Sequence, residues 1–386
     1  MRKLLSVFAL VILLSGITNA KEINYYNKSW AEIKAKAKAE NKFIFIDCYT
    51  EWCGWCKVMD KETMVDSGII DLLNTKFVSV KMDMEKGEGV KMAMKYHVTG
   101  FPTFMFFNAD GEYVYNTFGY MKIPEFNIQL ENARNKDKEF RAPGFSASLD
   151  VDYPEFYKNM FGGDDKKKPK EGEALAFLDK QTDLFNEISW AVLSKTALNQ
   201  KYVTYFLGNI NRYRSLYGAP SANDKLNLLI DTKLQEAIKS KKEASFKEAM
   251  EMIDTYVTDD KESMKIYGRL AYYKEMGDWK KLAPVMDEFI SKKGLENANY
   301  INSISWNMYE KCDDKALLKK ACSWMKGVVG AEASYANLDT YVALLYKSGN
   351  KKEAEEWANT AIAAGKKSGD ETKTTEEMLK KIKGSK

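Results

Sequence analysis

Two thiols separated by two residues, in Trp52-Cys53-Gly54-Trp55-Cys56-Lys57, can close a small disulfide ring and open it again. The apolar run Phe43-Ile44-Phe45-Ile46-Asp47-Cys48-Tyr49 before them reads as a buried strand, and Lys57-Val58-Met59-Asp60-Lys61-Glu62 after them reads as helix. That junction puts Cys53 at a helix N-terminus, where unpaired amides and the positive end of the helix dipole favour a thiolate. Cys56 follows about one turn later and can reach back to resolve a mixed disulfide, so the order predicts Cys53 as attacking thiol and Cys56 as resolving thiol. The alternative chemistry is a zinc knuckle, which needs two further ligands at similar spacing. The chain offers Cys48, Cys312, Cys322 and one histidine, His97, at unsuitable positions. No metal and no cofactor is implied.

The elements that must hold this pair follow an α/β pattern. Ser29-Trp30-Ala31-Glu32 is a capping box opening a helix, and Glu22 to Tyr26 is a possible edge strand. Cys53 to Thr75 reads as helix interrupted near Asp66-Ser67-Gly68. Phe77 to Met82 is a second buried strand and Gly89 to Tyr96 a short helix. Thr103 to Phe107 is a strand that turns through Asn108-Ala109-Asp110-Gly111 into a partner, Glu112 to Phe118. A last helix opens near Pro124.

Residues 139 to 172 break the pattern. Pro143-Gly144 and the stretch from Gly162 to Pro169 read as linker, and Phe156, Tyr157, Met160 and Phe161 between them could pack on either side. From Glu173 apolar residues recur at helical spacing. Leu270 to Trp279 parallels Ala343 to Lys351, with Gly277 and Gly349 72 positions apart and Met308 to Asp313 near the midpoint. A period near 36 with helix–turn–helix units resembles the tetratricopeptide repeat; an irregular helical array is the alternative.

The chain of 386 residues carries a net charge of +4 from many residues of both signs, which points away from nucleic acid. Arg2 and Lys3, the apolar run Leu4 to Ile17 and Thr18-Asn19-Ala20 read as a secretory signal peptide over residues 1–20, the run being short for a membrane anchor. Ile17 stands where a lipoprotein box would need Cys. Five cysteines are an odd number in an oxidising compartment, so a purely structural disulfide framework does not fit. The expected organisation is a signal peptide at 1–20, an α/β domain at 21–140 with its own core, a linker at 141–172 and an all-α repeat domain at 173–386. The expected location is periplasmic or secreted, without stable membrane insertion.

From Lys42 to Gly119 the chain resembles the thioredoxin family, and within it the thioredoxin-like periplasmic domain that ends the thiol–disulfide interchange protein DsbD. The resemblance rests on Phe45-Ile46-Asp47, Trp52-Cys53 and Cys56-Lys57, Glu62-Thr63-Met64, Lys81-Met82-Asp83 and Gly100-Phe101-Pro102-Thr103. It implies a buried Asp47 near Cys56 that takes the resolving thiol's proton, paired with Lys81; a strand-end aspartate capping a loop is the other reading. It implies a cis Phe101–Pro102 peptide facing the disulfide, where an ordinary trans proline is the alternative. Trp52 and Trp55 would flank the sulfurs, as an apolar landing surface for substrate or as packed core, with Trp55 exposed. Trp55 replaces the proline usual in thioredoxin. The histidine of more oxidising relatives is absent there too, which points toward a reductant.

Other candidates read as bland. Cys48 faces away from Asp47 in a regular strand. Cys312 and Cys322 stand roughly 12 Å or more apart by helix rise. His97 reads as a turn residue before the Pro102 loop. The function these features predict is an exported oxidoreductase that reduces or exchanges disulfides in protein partners. An unidentified donor protein re-reduces it, and the helical half selects the partner. Competing readings are an interaction module built on the helical repeats with an accessory α/β domain, and a dithiol oxidase or isomerase of the same fold.

Overall fold

The computed structural model describes residues 22–135, 142–161 and 167–384; the expected signal peptide at 1–20 and much of the Gly/Lys-rich stretch from Gly162 to Pro169 lie outside them. Cα proximity divides the chain into two compact units, Met1–Lys225 and Leu226–Lys386.

The first unit opens with helix α1 (Trp30–Glu40), whose start is fixed by the capping box between Ser29 and Glu32. There follow β1 (Phe43–Tyr49), α2 (Gly54–Glu62), α3 (Ser67–Lys76), β2 (Phe77–Asp83), α4 (Glu88–Tyr96), β3 (Thr103–Phe107), β4 (Tyr113–Phe118) and α5 (Ile123–Arg134). The helical interruption falls at Asp66, whose carboxylate accepts from the Ile69 amide at 3.0 Å and starts α3. The strands order β2-β1-β3-β4, with β1 parallel to β2 and antiparallel to β3. Alternation sends Phe45 to one face of the sheet, where it packs with Met59, Leu73, Phe126 and Leu130. Asp47 shares that face.

The edge strand expected at Glu22–Tyr26 is a single bridge, Tyr25 to Ser79. Its extension is cut off because the next amide along β2, that of Lys81, donates to the Asn27 side chain at 2.9 Å.

The division between units lies beyond the linker expected at 141–172. The reason is aromatic and ionic burial contributed by residues 142–225. Tyr157 is fully buried and donates its hydroxyl to the Met94 carbonyl at 2.8 Å. Phe145 rests on Tyr96 and Tyr217, with ring centroids 4.9 and 5.1 Å apart. Lys95, 1% exposed along its side chain, pairs with Glu187. Glu187 also accepts from the Ser146 amide at 2.8 Å and the Tyr153 hydroxyl at 3.2 Å. A buried ion pair with its remaining oxygens satisfied in this way is expensive to break. The helices of this stretch are α6 (Glu155–Lys158), α7 (Glu173–Leu178), α8 (Glu187–Lys195), α9 (Gln200–Gly208), α10 (Ile210–Tyr217) and the start of α11 (Ala219–Ser240).

The regular elements among the described residues of the second unit are helices: the rest of α11, α12 (Glu243–Tyr256), α13 (Lys261–Met276) and α14 (Trp279–Lys293) through α15 (Ala298–Lys311), α16 (Lys315–Ala331), α17 (Tyr335–Ser348), α18 (Lys351–Ser368) and α19 (Lys373–Gly384). The two glycines singled out by spacing each end a helix. Gly277 caps α13 at φ 66° and Gly349 caps α17 at φ 96°, left-handed positions that favour glycine. Cys312 caps α15, midway between them. Ala354, Ala358 and Ala361 are fully buried along one face of α18, next to α17. Cys312 and Cys322 are separate, buried free thiols; the Cys322 sulfur sits 3.7 Å from the Ser348 hydroxyl.

Candidate active site

Cys53 is the N-cap of α2 and is disulfide-bonded to Cys56, with Cα atoms 5.4 Å apart. The Cys53 sulfur accepts the Cys56 amide at 3.0 Å. The same amide, with the positive end of α2, would stabilise a Cys53 thiolate once the bond is reduced. Neither cysteine is open to solvent: Cys53 is 3% and Cys56 5% exposed. Exposure therefore does not distinguish the two; the helix N-terminus does. Each has an aromatic chain neighbour. Trp52 and Trp55 are 65% and 61% exposed, so both sit at the surface rather than in the core. Trp52 stands edge-on to Phe101 at 5.8 Å, and Trp55 lies 5.7 Å from Tyr120. Trp52 also donates its indole N–H to Glu85 at 2.9 Å. The Phe101–Pro102 peptide is cis.

Beneath this surface lies a charged cluster. Asp47 is 3% exposed, and Lys81, its register partner on β2, holds its ammonium 3.3 Å from the Asp47 carboxylate. The same ammonium pairs with Asp60. Asp60 stands four residues after Cys56, on the same face of α2. Lys81 thus ties Asp47 to the helix face that carries Cys56. The Tyr25 hydroxyl donates to Asp47 as well, and the rings of Tyr25 and Tyr49 lie 5.9 and 5.5 Å from the Lys81 ammonium.

Burial lifts the Asp47 carboxyl from an ordinary 3.8 to about 6, against the pull of Lys81 and with a push from Asp60. Burial also works against the Lys81 charge, but Asp47 and Asp60 together outweigh it and raise that pKa. An aspartate poised near 6 suits a proton acceptor at neutral pH.

The remaining sequence candidates fall apart from this cluster. Cys48 is fully buried on the opposite sheet face, and burial pushes its thiol up. His97 ends α4 in the left-handed region at φ 62°, a turn residue as expected. It lies 3.2 Å from the Ser194 hydroxyl, and burial holds it neutral. Asp60, Tyr25, Tyr49 and Tyr120 were not anticipated. Helical periodicity from Cys56 could have flagged Asp60; nothing local marks Tyr25, which reaches Asp47 from a separate segment. Among the described residues no three His, Cys, Asp or Glu side chains are grouped to hold a metal ion.

The fold is of the thioredoxin-like α/β class, here followed by a mostly helical region. Residues 17–128 match the family model described as Thioredox_DsbH, protein of unknown function, DUF255. The thiol:disulfide interchange protein DsbD of Colwellia psychrerythraea is 29% identical over 105 residues, which are 26% of this chain and 17% of that protein. DsbD of Vibrio cholerae is 34% identical over 84 residues, 21% of this chain and 14% of its own length. The chain thus spans about a sixth of the curated relatives it matches. Among solved structures, one from Bacteroides thetaiotaomicron, whose name proposes a disulphide-isomerase, is 40% identical. It covers 30% of this chain and 97% of its own, with a TM-score of 0.29. The oxidised C-terminal domain of Neisseria meningitidis DsbD is 21% identical, covering 28% of this chain and 98% of its own, with a TM-score of 0.24.

Proposed function

We propose that this protein is an exported thiol–disulfide oxidoreductase that reduces or exchanges disulfides in protein partners. The observation that carries the reading is the Cys53–Cys56 disulfide at the start of α2, tied through Lys81 and Asp60 to a buried aspartate poised near neutral pH. The similarity to interchange proteins over the same segment supports it.

In the reduced enzyme the Cys53 thiolate attacks one sulfur of a substrate disulfide. A Cys53–substrate bond forms, and the first substrate sulfur leaves as thiolate and takes a proton from water. Cys56 then gives its proton to Asp47 and attacks the Cys53 sulfur. The second substrate sulfur leaves, and the enzyme is left with the Cys53–Cys56 disulfide. Two electrons have moved to the substrate, so a donor dithiol must restore them. Lys81 holds the Asp47 charge in place between turnovers. The exposed Trp52 and Trp55 rings, with Phe101 and Pro102, supply the surface on which substrate lies.

The leader-like N-terminus supports export, and no helix among the described residues is long and apolar enough to cross a membrane. The recurring glycine caps in the second unit support tetratricopeptide-like repeats there, which would choose the partner. The test is the reduction potential of the Cys53/Cys56 pair, measured together with reduction of a neutral small disulfide. A potential as low as thioredoxin's, with turnover, supports the reductant; an oxidising potential near that of a strong disulfide donor overturns it.

A further inference from the structure

Beside the Phe101–Pro102 loop lies a cleft of about 440 Å³ within the first unit. One wall is Gly100 and Thr103, which flank the cis peptide, with Asn116 and Phe118 of the edge strand β4. The opposite wall is Lys195 at the end of α8 and Asp224 in the first turns of α11. The cleft continues the surface around the disulfide. Trp52 meets Phe101, Phe101 follows Gly100, and a side chain on Gly100 would come within 2.5 Å of the Phe118 ring. Phe118 itself is 67% exposed.

The cleft holds a lysine without a direct ion-pair partner among the described residues. Lys195 is half-buried, and among the described residues it has no salt bridge; Asp224 answers it only at longer range. Behind it Lys225, 2% exposed, donates to the Thr196 carbonyl at 2.8 Å and has no carboxylate partner among the described residues. Burial lowers both lysines, and their mutual repulsion lowers Lys225 further, to about 7. Asp224 is thus the one carboxylate lining the cleft, and it forms no salt bridge with Lys195. His97, also in the lining, is held neutral. A carboxylate entering there could pair directly with the Lys195 ammonium.

We infer that the cleft between the Gly100–Thr103 loop and Lys195 is a specificity subsite that takes an acidic side chain of the protein substrate, a few residues from its reacting cysteine. The subsite rests on the redox reading above. Substrate chain crossing Trp52 and Phe101 runs on past Phe118, and Lys195 receives the carboxylate. The helices that follow the α/β fold therefore have a part in recognition close to the disulfide.

The test uses the full chain and disulfide-linked peptides in which Glu or Gln is placed at successive positions on either side of the cysteine. At one or two positions kcat/KM should favour Glu over Gln by about tenfold, the worth of one charge-assisted hydrogen bond. Lys195→Met should abolish that preference while leaving reduction of neutral 2,2′-dithiodipyridine unchanged, and Asp224→Asn should enlarge it. Opposite signs for the two variants are not what a structural role would give. Binding of the same peptides with Ser for Cys reads the subsite without redox chemistry. Equal rates and equal binding for Glu and Gln at every position, with the neutral disulfide still reduced, overturn the subsite alone. Failure to reduce the neutral disulfide, with Lys195-dependent binding of the Ser peptides intact, overturns the redox reading and leaves the subsite standing.

Discussion

Asp47→Asn keeps the shape of a buried side chain and removes its charge. In the folded protein the carboxyl titrates near 6, chiefly because of burial, against 3.8 in an open chain. A raised folded-state pKa gives stability that is present below pH 3.8 and lost as pH rises through about 6. At 1.36 kcal/mol per pH unit, the whole loss comes to about 3 kcal/mol. Asparagine mimics the protonated acid, so the variant and the wild type should be similar in stability near pH 4. At pH 7.5 the variant should be more stable, by up to about 3 kcal/mol. Urea unfolding of the oxidised protein at both pH values measures the difference directly. Turnover should move the other way. Without a proton acceptor for Cys56, disulfide reduction at pH 7.5 should fall by roughly 10²-fold, and the rise in rate through pH 6 should vanish. A stability difference that stays flat from pH 4 to 7.5 would refute the desolvation argument. Unchanged turnover across the same range would remove Asp47 from the mechanism.

Cys56→Ser should accumulate mixed disulfides with partner proteins through Cys53, seen on non-reducing gels; trapping that requires Cys56 with Cys53 removed would reverse the roles. Tyr25→Phe removes a hydrogen bond that holds the Asp47 carboxyl down. It should shift the pH–rate inflection upward by about one pH unit, and a profile that stays put would place Tyr25 outside the site. Glu187→Ala strands the buried Lys95 ammonium. It should cost about 3–5 kcal/mol of stability, read as a lower urea midpoint. By the same reasoning a form ending at residue 140 should be much less stable than one ending at 225, because Lys95, Tyr96 and Tyr157's partner carbonyl lose their cover. Equal stability of the two truncations would show that the added helices are ornamental to the core.

The chemistry was legible in the chain because it is local. A Cys-x-x-Cys after an apolar run needs nothing beyond strand, turn and helix to put one thiol at a helix N-terminus, and residues 53 and 56 are where the disulfide forms. The strands at Phe43, Phe77 and Thr103, the turn at Asn108 and the glycine caps at 277 and 349 follow from alternation, helical period and positive φ, all short-range properties. Long-range pairing is another matter. That Tyr25 reaches Asp47, that Lys81 serves two carboxylates, and that Glu187 closes on Lys95 from 92 residues away depend on how elements pack. So does the extent of the first unit. Composition marks residues 139 to 172 as a break, yet the buried aromatic rings and ion pair of residues 142–225 join that stretch to the sheet. Charge in a cleft behaves likewise. Lys195 and Lys225 look like ordinary lysines in sequence, and only burial without a matching carboxylate makes them matter. Periodicity decides what each segment is; desolvation, which exists only once segments meet, decides what its charged groups can do.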